Sequence, residues 1–341
     1  MATIDNLSTE FPIVEPETSG TGFDIISLVY CFIGIIGIFG NGVVCYIFLT
    51  DKHFKSITHR LILHQSCIDL TSSLLFLGLR VSILLTGAVG IPDGAFGNLI
   101  CKAWYSATLL WGCLNTSCIN LCLITLERYF GVCHPILHHR RGTIRLVTIA
   151  MIMAWVVGYL SEACWGWMTH WNENGACLFA WINDAHRIYM GIELFFIEFV
   201  IPLTIIVYCY IKIWQAVKVA PMTTNTLGVA RSKVNGRVRW NIIRMLFVVA
   251  VVYFICWIPN VFGVSLWFLT FNQYWVVQGP LHEFTVTMAF INMCVNPIIY
   301  AAKYDEFQRA CLEKLCCKKA GQVQEISTVQ SAMSDIDSHA I

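Results

Sequence analysis

Residues 25–50 read IISLVYCFIGIIGIFGNGVVCYIFLT and contain no Asp, Glu, Lys or Arg. An α-helix needs about 20 consecutive apolar residues to cross the hydrocarbon core of a bilayer. Over such a length of lipid, a helix satisfies all of its own backbone hydrogen-bonding groups. The stretch therefore predicts a membrane-spanning helix, and it decides how the rest of the sequence is interpreted.

Six further apolar stretches follow, and we number all seven as spans 1 to 7. Spans 2 to 7 lie at about 59–86, 99–130, 144–168, 188–216, 239–269 and 276–301. A membrane β-barrel would instead show alternating segments of about 10 residues, and the sequence contains none. The predicted fold class is an all-α membrane protein, a seven-transmembrane helix bundle with a short amphipathic eighth helix.

The composition agrees with a membrane protein. Hydrophobic residues make up 57 % of the 341 residues and charged residues 13 %, against about 25 % charged in an average soluble protein. So large an apolar fraction excludes a disordered chain. A nucleic-acid-binding domain would be basic, whereas the formal net charge here is +1, and no nucleic-acid partner is expected.

Positive charges are distributed unequally between the two sides of the predicted bundle. Nineteen of the 22 Lys and Arg residues lie in or beside the segments after spans 1, 3, 5 and 7, and the exceptions are Arg80, Lys102 and Arg187. Cytoplasmic loops are enriched in Lys and Arg. The N-terminus is therefore predicted to be extracellular and the C-terminus cytoplasmic, which requires an odd number of spans.

The N-terminal segment, residues 1–24, precedes the bundle domain of residues 25–303. It contains no Lys or Arg, and Asn6-Leu7-Ser8 matches the N-glycosylation sequon. Because the segment is predicted to be extracellular, we expect Asn6 to be glycosylated.

The C-terminal region divides into two parts. Residues 304–317 carry an apolar stripe with Lys and Arg on the opposite face, as expected for an amphipathic helix on the inner leaflet. Cys316 and Cys317 are a candidate palmitoylation site, with two unmodified cytosolic thiols as the alternative. Residues 318–341 are rich in Ser, Gln and Asp and are expected to be disordered in the cytoplasm.

Several short motifs, each weak alone, occur in order along the spans. They are Gly40-Asn41, Asp69, Glu127-Arg128-Tyr129, Trp155, Pro202 with Tyr210, Cys256-Trp257-Ile258-Pro259 and Asn296-Pro297-Ile298-Ile299-Tyr300. In this order and at this spacing, the chain resembles the rhodopsin-like (class A) family of G-protein-coupled receptors. The likeness covers nearly all of residues 25–317.

This resemblance implies a multi-pass receptor of the plasma membrane and not an enzyme, and no catalytic residue is predicted. It implies that an extracellular ligand shifts the bundle between two states and that a heterotrimeric G protein is activated at the cytoplasmic end. Arrestin, a receptor kinase and membrane lipids are further implied partners. A transporter or channel is the distant alternative, but it predicts internal repeats, which the sequence lacks.

The resemblance assigns coupling and activation to residues along spans 3, 5, 6 and 7. They are Glu127, Arg128, Tyr129, Tyr210, Trp257, Pro259, Asn296, Pro297 and Tyr300. A Glu beside Arg128 can hold the guanidinium in a resting state, and a proline inside a helix kinks it and provides a hinge. Span 6 has Arg239 and Trp240 where the family often carries an acid that pairs with this Arg. We therefore expect a weakly locked resting state with raised basal activity.

Polar residues in the middle of apolar spans are costly unless they are paired or solvated. Asp69 lies in span 2, Ser117 in span 3, and Asn292 and Asn296 in span 7. The resemblance implies that these four hold a structural sodium ion, for which oxygen ligands are suitable; no other cofactor is expected. The alternative is a dry hydrogen-bond network between spans 2, 3 and 7.

The resemblance also implies a disulfide between Cys101, before span 3, and Cys177, in the loop between spans 4 and 5. Both lie on the predicted extracellular side, where disulfides form, and Cys164 is the competing partner. From Cys101 to the Arg of the span 3 motif is 27 positions, about two more than the family usually has. Thr108 and Leu110 are therefore both candidates for the same ligand-contacting position.

The outer halves of the spans supply the candidates for a ligand pocket. They are Arg80, Thr108, Leu110, Glu162, Glu193, Glu198, Trp257 and Glu283. Four acids against one base favour a ligand with positive charge, and a basic peptide is the favoured class. A small amine or a lipid-like ligand is the alternative, although neither Thr108 nor Leu110 is the Asp that biogenic-amine receptors carry. Span 7 has no Lys for a retinal Schiff base, which excludes an opsin.

Overall fold

The computed structural model describes residues 10–14, 25–89, 91–173, 175–219, 229–270 and 279–315. Within this part of the chain, seven helices are long and apolar enough to cross a membrane. Their membrane-spanning segments are Ile26–Thr50, Ile57–Ile83, Gly94–Cys133, Ile144–Met168, Asp184–Lys218, Trp240–Thr270 and Pro280–Lys303. The predicted seven-helix bundle is confirmed.

Five of the spans are continuous helices and two are interrupted. Spans 1, 2, 4, 6 and 7 are the helices Ile25–Thr50, Ile57–Val89, Ile144–Met168, Val229–Thr270 and Pro280–Lys303. Span 3 consists of Gly94–Ile100, a π-helical turn Cys101–Tyr105, and Thr108–Cys133. Span 5 consists of Asp184–Ile192, a π-helical segment Glu193–Val200, and Ile201–Val219.

Local capping explains why some helix boundaries differ from those predicted by hydropathy. Span 5 begins at Asp184 instead of 188, because the Asn183 side chain accepts a hydrogen bond from the His186 N–H at 2.8 Å. Span 7 begins at Pro280 instead of 276, since proline is favoured at the first position of a helix; residues 276–278 lie outside the described residues. Spans 2, 3 and 6 extend beyond their predicted bounds at both ends.

Two short helices lie outside the bundle. Pro135–Arg141 follows span 3, and Asp305–Leu315 follows span 7 as the predicted amphipathic eighth helix. In the latter, Phe307 and Ala310 are buried against the bundle. The candidate modification sites Asn6, Cys316 and Cys317 lie outside the described residues, as does the predicted tail, 318–341.

Span 3 is the central element of the bundle and packs against spans 2, 4 and 5. The outer surface exposes large apolar side chains such as Phe39, Leu49 and Leu160, at 74 %, 71 % and 68 % exposure. These faces fit a lipid solvent. Polar side chains such as Asp69 and Asn120 are instead fully buried between the helices, which is the arrangement that a membrane favours.

A three-stranded antiparallel sheet, which the sequence analysis does not predict, joins the N-terminal segment to the loop between spans 4 and 5. Its strands are β1 (Glu10–Val14), β2 (Thr169–Trp171) and β3 (Cys177–Ala180), with β3 in the middle. We call the end of the bundle that carries this sheet the outer end. The sheet holds the loop beside the start of span 3.

Candidate functional site

A disulfide connects the outer end of span 3 to the sheet. Cys101 is bonded to Cys177, the first residue of β3, with a Cα–Cα distance of 5.4 Å. The competing candidate, Cys164, is a free and exposed thiol. The predicted pairing is therefore confirmed.

A cavity of about 340 Å³ opens between the spans at the outer end. Six of the eight predicted pocket residues line it: Arg80, Leu110, Glu162, Glu198, Trp257 and Glu283. Thr108 is not among the residues that line the cavity, and its hydroxyl is hydrogen-bonded to the Ser106 hydroxyl at 2.8 Å. Glu193 is not among the lining residues either, although the next residue, Leu194, lines the cavity.

The interruption in span 3 explains why Leu110 and not Thr108 occupies the cavity wall. The chain forms a π-helical turn at Cys101–Tyr105, and Ala107 then adopts a left-handed φ of 58° before the α-helix resumes. A π-helical turn takes up extra residues relative to an α-helix. The additional length after Cys101 is absorbed here, and positions further inward keep the spacing set by Arg128.

The acids on one side of the cavity have few partners. Glu162 is only 6 % exposed, yet it makes no hydrogen bond or ion pair with another described residue. Glu198 accepts a hydrogen bond from the Asn115 side-chain amide at 2.6 Å. Two carboxyl groups therefore line one cavity without a basic side chain bonded to either of them in the described structure.

Two buried donors face the same cavity. The indole N–H of Trp257 and the side-chain amide nitrogen of Asn260 have no hydrogen-bond partner among the described residues. The opposite wall differs, because the Tyr30 hydroxyl donates to Glu283 at 2.7 Å and the Arg80 guanidinium lies 4.0 Å from the centre of the Tyr30 ring. The cavity thus offers carboxylates and unpaired donors on the side formed by spans 4, 5 and 6.

The centre of the bundle contains a second acidic site, around Asp69. Its Oδ1 accepts hydrogen bonds from the Gln65 amide at 3.1 Å and the Ser117 hydroxyl at 3.3 Å. Its Oδ2 accepts from the Asn296 amide at 2.7 Å. The structure therefore brings together three of the four predicted ion ligands. Asn292 is buried on span 7 but is not among the described hydrogen-bond partners of Asp69.

Gln65 extends this site sideways to span 4. Its Oε1 accepts from the Asn120 amide at 2.9 Å, and Asn120 Oδ1 lies 2.8 Å from His64 Nδ1. His64 Nε2 in turn accepts from the Trp155 indole at 2.9 Å. Of these residues only Trp155 and Asp69 belong to predicted motifs. We call the series Trp155–His64–Asn120–Gln65–Asp69 the polar chain.

The side chains around Asp69 do not fit a sodium ion. A hard cation requires oxygen ligands, whereas Gln65 directs its N–H group at Asp69 Oδ1 and, at 2.5 Å, at the Ser117 hydroxyl. The described side chains form a hydrogen-bond network between spans 2, 3 and 7. It also reaches a fourth helix, span 4.

At the end of the bundle opposite the sheet, Glu127 holds Arg128 and two neighbouring side chains. The guanidinium of Arg128 donates twice to Glu127, at 2.5 and 2.6 Å. The Thr58 hydroxyl donates to the same carboxylate at 3.0 Å, and His138 Nε2, on the helix after span 3, lies 3.2 Å from it. Glu127 therefore joins Arg128 to span 2 and to the following helix, while the side chain of Arg239 lies outside the described residues.

The remaining residues predicted to act in activation lie along the interior of spans 5, 6 and 7. Trp257 stacks on Tyr253 with ring centres 5.7 Å apart, and the Tyr210 ring lies 5.2 Å from that of Phe247. Pro259 and Pro297 lie inside their helices. The buried Tyr300 hydroxyl has no hydrogen-bond partner among the described residues, so it is available for a different arrangement. Tyr129 instead lies at the surface, 3.1 Å from His134.

Comparison with known proteins gives matches over most of the chain. A model of the family "7 transmembrane receptor (rhodopsin family)" matches residues 40–300. The somatostatin receptor type 2 of Mus musculus is 26 % identical over 319 residues, which are 91 % of this chain and 82 % of that receptor. The allatostatin-A receptor of Bombyx mori is 28 % identical over 312 residues, covering 86 % and 80 %.

Among solved structures, squid rhodopsin has the same fold. It superposes with a TM-score of 0.71 at 20 % sequence identity and covers 89 % of each chain.

Proposed function

The chain belongs to the rhodopsin family of seven-transmembrane receptors, and from this premise we propose that its outer cavity binds a peptide that carries a positive charge. As a member of this family, the protein is a multi-pass plasma-membrane receptor that signals through a G protein, and it is not an enzyme. The proposal concerns the ligand class and the residues that recognise it.

The observation that carries the proposal is the unbalanced set of polar groups in the cavity. Glu162 and Glu198 supply carboxyl groups, whereas the unpaired donors of Trp257 and Asn260 require acceptors. Buried polar groups without partners cost about 1–3 kcal/mol each, so a ligand that satisfies them gains affinity. A basic peptide offers an ammonium or guanidinium group for the acids and backbone carbonyl groups for the donors.

The other ligand classes match this set less well. A small amine would neutralise an acid but would leave the donors of Trp257 and Asn260 without acceptors. A lipid-like ligand would bury the carboxyl groups of Glu162 and Glu198 against hydrocarbon, which is costly. The relatives support the peptide, since one is named a somatostatin receptor and another an allatostatin-A receptor.

The proposed signalling cycle uses the cytoplasmic end. A ligand in the cavity displaces Trp257, spans 6 and 7 bend at Pro259 and Pro297, and Arg128 leaves Glu127 to contact the G protein. We propose that the N-terminus is extracellular and the C-terminus cytoplasmic, with arrestin and a receptor kinase acting on the latter. Glycosylation of Asn6 and palmitoylation of Cys316 and Cys317 belong to the same proposal.

The proposal is tested by G-protein dissociation in cells that express the receptor, measured for each Gα class. Somatostatin, allatostatin A and a set of synthetic basic peptides are the probes, together with tissue fractions with and without protease treatment. We expect a peptide response that falls by about 10- to 100-fold in potency in Glu162→Gln and Glu198→Gln, as for the loss of a charged hydrogen bond of about 1.5–3 kcal/mol.

Two further variants control this experiment. Glu173→Gln removes an exposed acid outside the cavity and should leave the potency unchanged, whereas Arg128→Ala should abolish the response at unchanged surface expression. A response that survives protease treatment would refute the peptide. A peptide response that is equal in Glu162→Gln, Glu198→Gln and the wild type would refute the assigned recognition residues. Ligand-free signalling above that of untransfected cells is expected if the resting state is weakly locked.

A further inference from the structure

The polar chain at the centre of the bundle has a fixed direction. An indole nitrogen can donate a hydrogen bond but cannot accept one, so His64 Nε2 must be the acceptor from Trp155. Neutral histidine then carries its proton on Nδ1 and donates it to Asn120 Oδ1. Each following amide is oriented in turn: Asn120 donates to the Gln65 oxygen, and Gln65 donates to Asp69.

A second contact fixes the same orientation independently. The Asn120 amide nitrogen also donates to the backbone carbonyl of Leu61 at 3.1 Å, and a carbonyl oxygen can only accept. Rotating the Asn120 amide by half a turn would therefore place its oxygen against two acceptors, Leu61 O and Gln65 Oε1. Gln65 is thereby held with its N–H group towards Asp69 and its oxygen away from it.

We infer that the side-chain amide of Gln65 takes the place of a sodium ion at Asp69, so that this receptor does not respond to sodium. The amide carries a partial positive charge where a cation would have to approach Oδ1, and it bonds to Ser117, the other nearby oxygen in span 3. A sodium ion would need Gln65 to present its oxygen, which the polar chain prevents. Asn296 completes the set of donors from span 7.

The polar chain thereby determines whether a cation can bind at Asp69. The carboxylate of Asp69 is stabilised by three hydrogen bonds, from spans 2, 3 and 7, that do not depend on the ionic composition of the medium. Since a hydrogen bond to a charged group contributes more than one between neutral groups, Asp69 can stay buried without a metal ion. Gln65 is the residue that decides between these two ways of compensating the charge.

The test uses the purified full-length receptor in detergent and needs neither a ligand nor a G protein. The apparent Tm is measured in sodium chloride and in choline chloride at equal ionic strength, for the wild type, Gln65→Leu and Gln65→Met. Gln308→Leu, which removes an amide on the eighth helix that donates to the Ala301 carbonyl, is the matched control. Asp69→Asn is added to Gln65→Leu to identify the binding group.

We expect the same Tm in both salts for the wild type and for Gln308→Leu. Gln65→Leu and Gln65→Met should show a saturable rise of about 3 °C that is specific for sodium, as expected from binding linkage at ten times Kd. The added Asp69→Asn should abolish it.

A sodium-specific rise in the wild type would overturn the inference, and so would folded Gln65 variants that do not respond to sodium. If neither Gln65 variant folds, the wild-type comparison alone decides, because the inference requires that sodium and choline act alike on it.

Discussion

Two of the buried acidic regions in the described part of this receptor differ in how their hydrogen-bonding groups are satisfied. At the bundle centre, Asp69 accepts three hydrogen bonds, and the donors behind it are ordered by the polar chain. In the outer cavity, Glu162 is almost as deeply buried, but no described residue bonds to it. Trp257 and Asn260 nearby also lack partners within the described chain.

At the bundle centre, the hydrogen-bonding groups of Asp69 are satisfied by neighbouring side chains. In the outer cavity, donors and acceptors are left without partners among the described residues, as we propose for a ligand site. Native proteins leave few buried polar groups unpaired, and each exception requires an explanation. The centre is closed by its own side chains, so it fixes the relative positions of spans 2, 3, 4 and 7. In the cavity, the donors of Trp257 and Asn260 and the acceptor oxygens of Glu162 lack hydrogen-bond partners among the described residues. An external molecule can satisfy them. Burial alone does not distinguish the two regions.

The largest expected effect comes from removing the acid of the complete site. Asp69→Ala leaves the donors of Gln65, Ser117 and Asn296 without their acceptor, and we expect the free energy of unfolding to fall by about 3–5 kcal/mol. Glu162→Ala deprives no described residue of a partner, so its effect should stay within about 1 kcal/mol. Thermal unfolding of the two purified variants compares the regions directly.

Equal losses of stability in these two variants would contradict the distinction between the regions. Asp69→Asn serves as the control, because it keeps an acceptor oxygen and should lose less stability than Asp69→Ala.

A smaller effect is expected from the paired substitution Cys101→Ser with Cys177→Ser. The disulfide closes a separation of 76 residues, and its loss should cost about 2–4 kcal/mol. The loss should be local to the outer region, because the polar chain does not include either cysteine. Hydrogen exchange should therefore increase in β2 and β3 and stay unchanged around Gln65. Increased exchange at the centre would show that the two regions are not independent.

The smallest effect is expected from Trp155→Phe, which removes one neutral hydrogen bond at the far end of the polar chain. We expect a loss of about 1 kcal/mol in the free energy of unfolding. Trp167→Phe, on the same span but 76 % exposed, should have no comparable effect. A double-mutant cycle of Trp155→Phe with Gln65→Leu should show coupling, and strictly additive losses would indicate that the chain does not act as a unit.

The architecture could be predicted because its signal lies within each segment. Apolar stretches long enough to cross a bilayer identified the seven spans. The disulfide between Cys101 and Cys177 agreed with the pairing that the resemblance implied. The resemblance grouped Asp69 with Ser117 and Asn296, and the cost of an acid in an apolar helix independently marked Asp69.

Contacts between helices could not be predicted in the same way. Gln65, His64 and Asn120 meet only because spans 2, 3 and 4 have particular rotations, and a single sequence does not specify the rotation of one helix against another. Gln65 did carry a signal, since it is a polar residue one turn before Asp69 on the same face.

The pocket was predicted in part for a related reason. Leu110 and Thr108 stayed alternatives because the spacing from Cys101 departs from the family. In the structure Leu110 lines the cavity, because a π-helical turn takes up the extra residues. Such a turn leaves no signal in the composition. Glu193 and Glu198 belong to a π-helical segment as well, where counting by α-helical turns misplaces side chains. Asn115 and Asn260 were not identified, since an amide in a membrane helix is also common at structural contacts.

The left-handed residue Ala107 has a consequence for how such receptors diverge. It is the only non-glycine residue with positive φ in the described part of the chain. It separates the π-helical turn Cys101–Tyr105 from the α-helix Thr108–Cys133. An insertion or deletion that falls between Cys101 and Ala107 alters the rim of the pocket while the helix from Thr108 to Arg128 keeps its rotation. Ligand preference can therefore change by a difference in length, during descent or by engineering, while Arg128, the proposed G-protein contact, keeps its position.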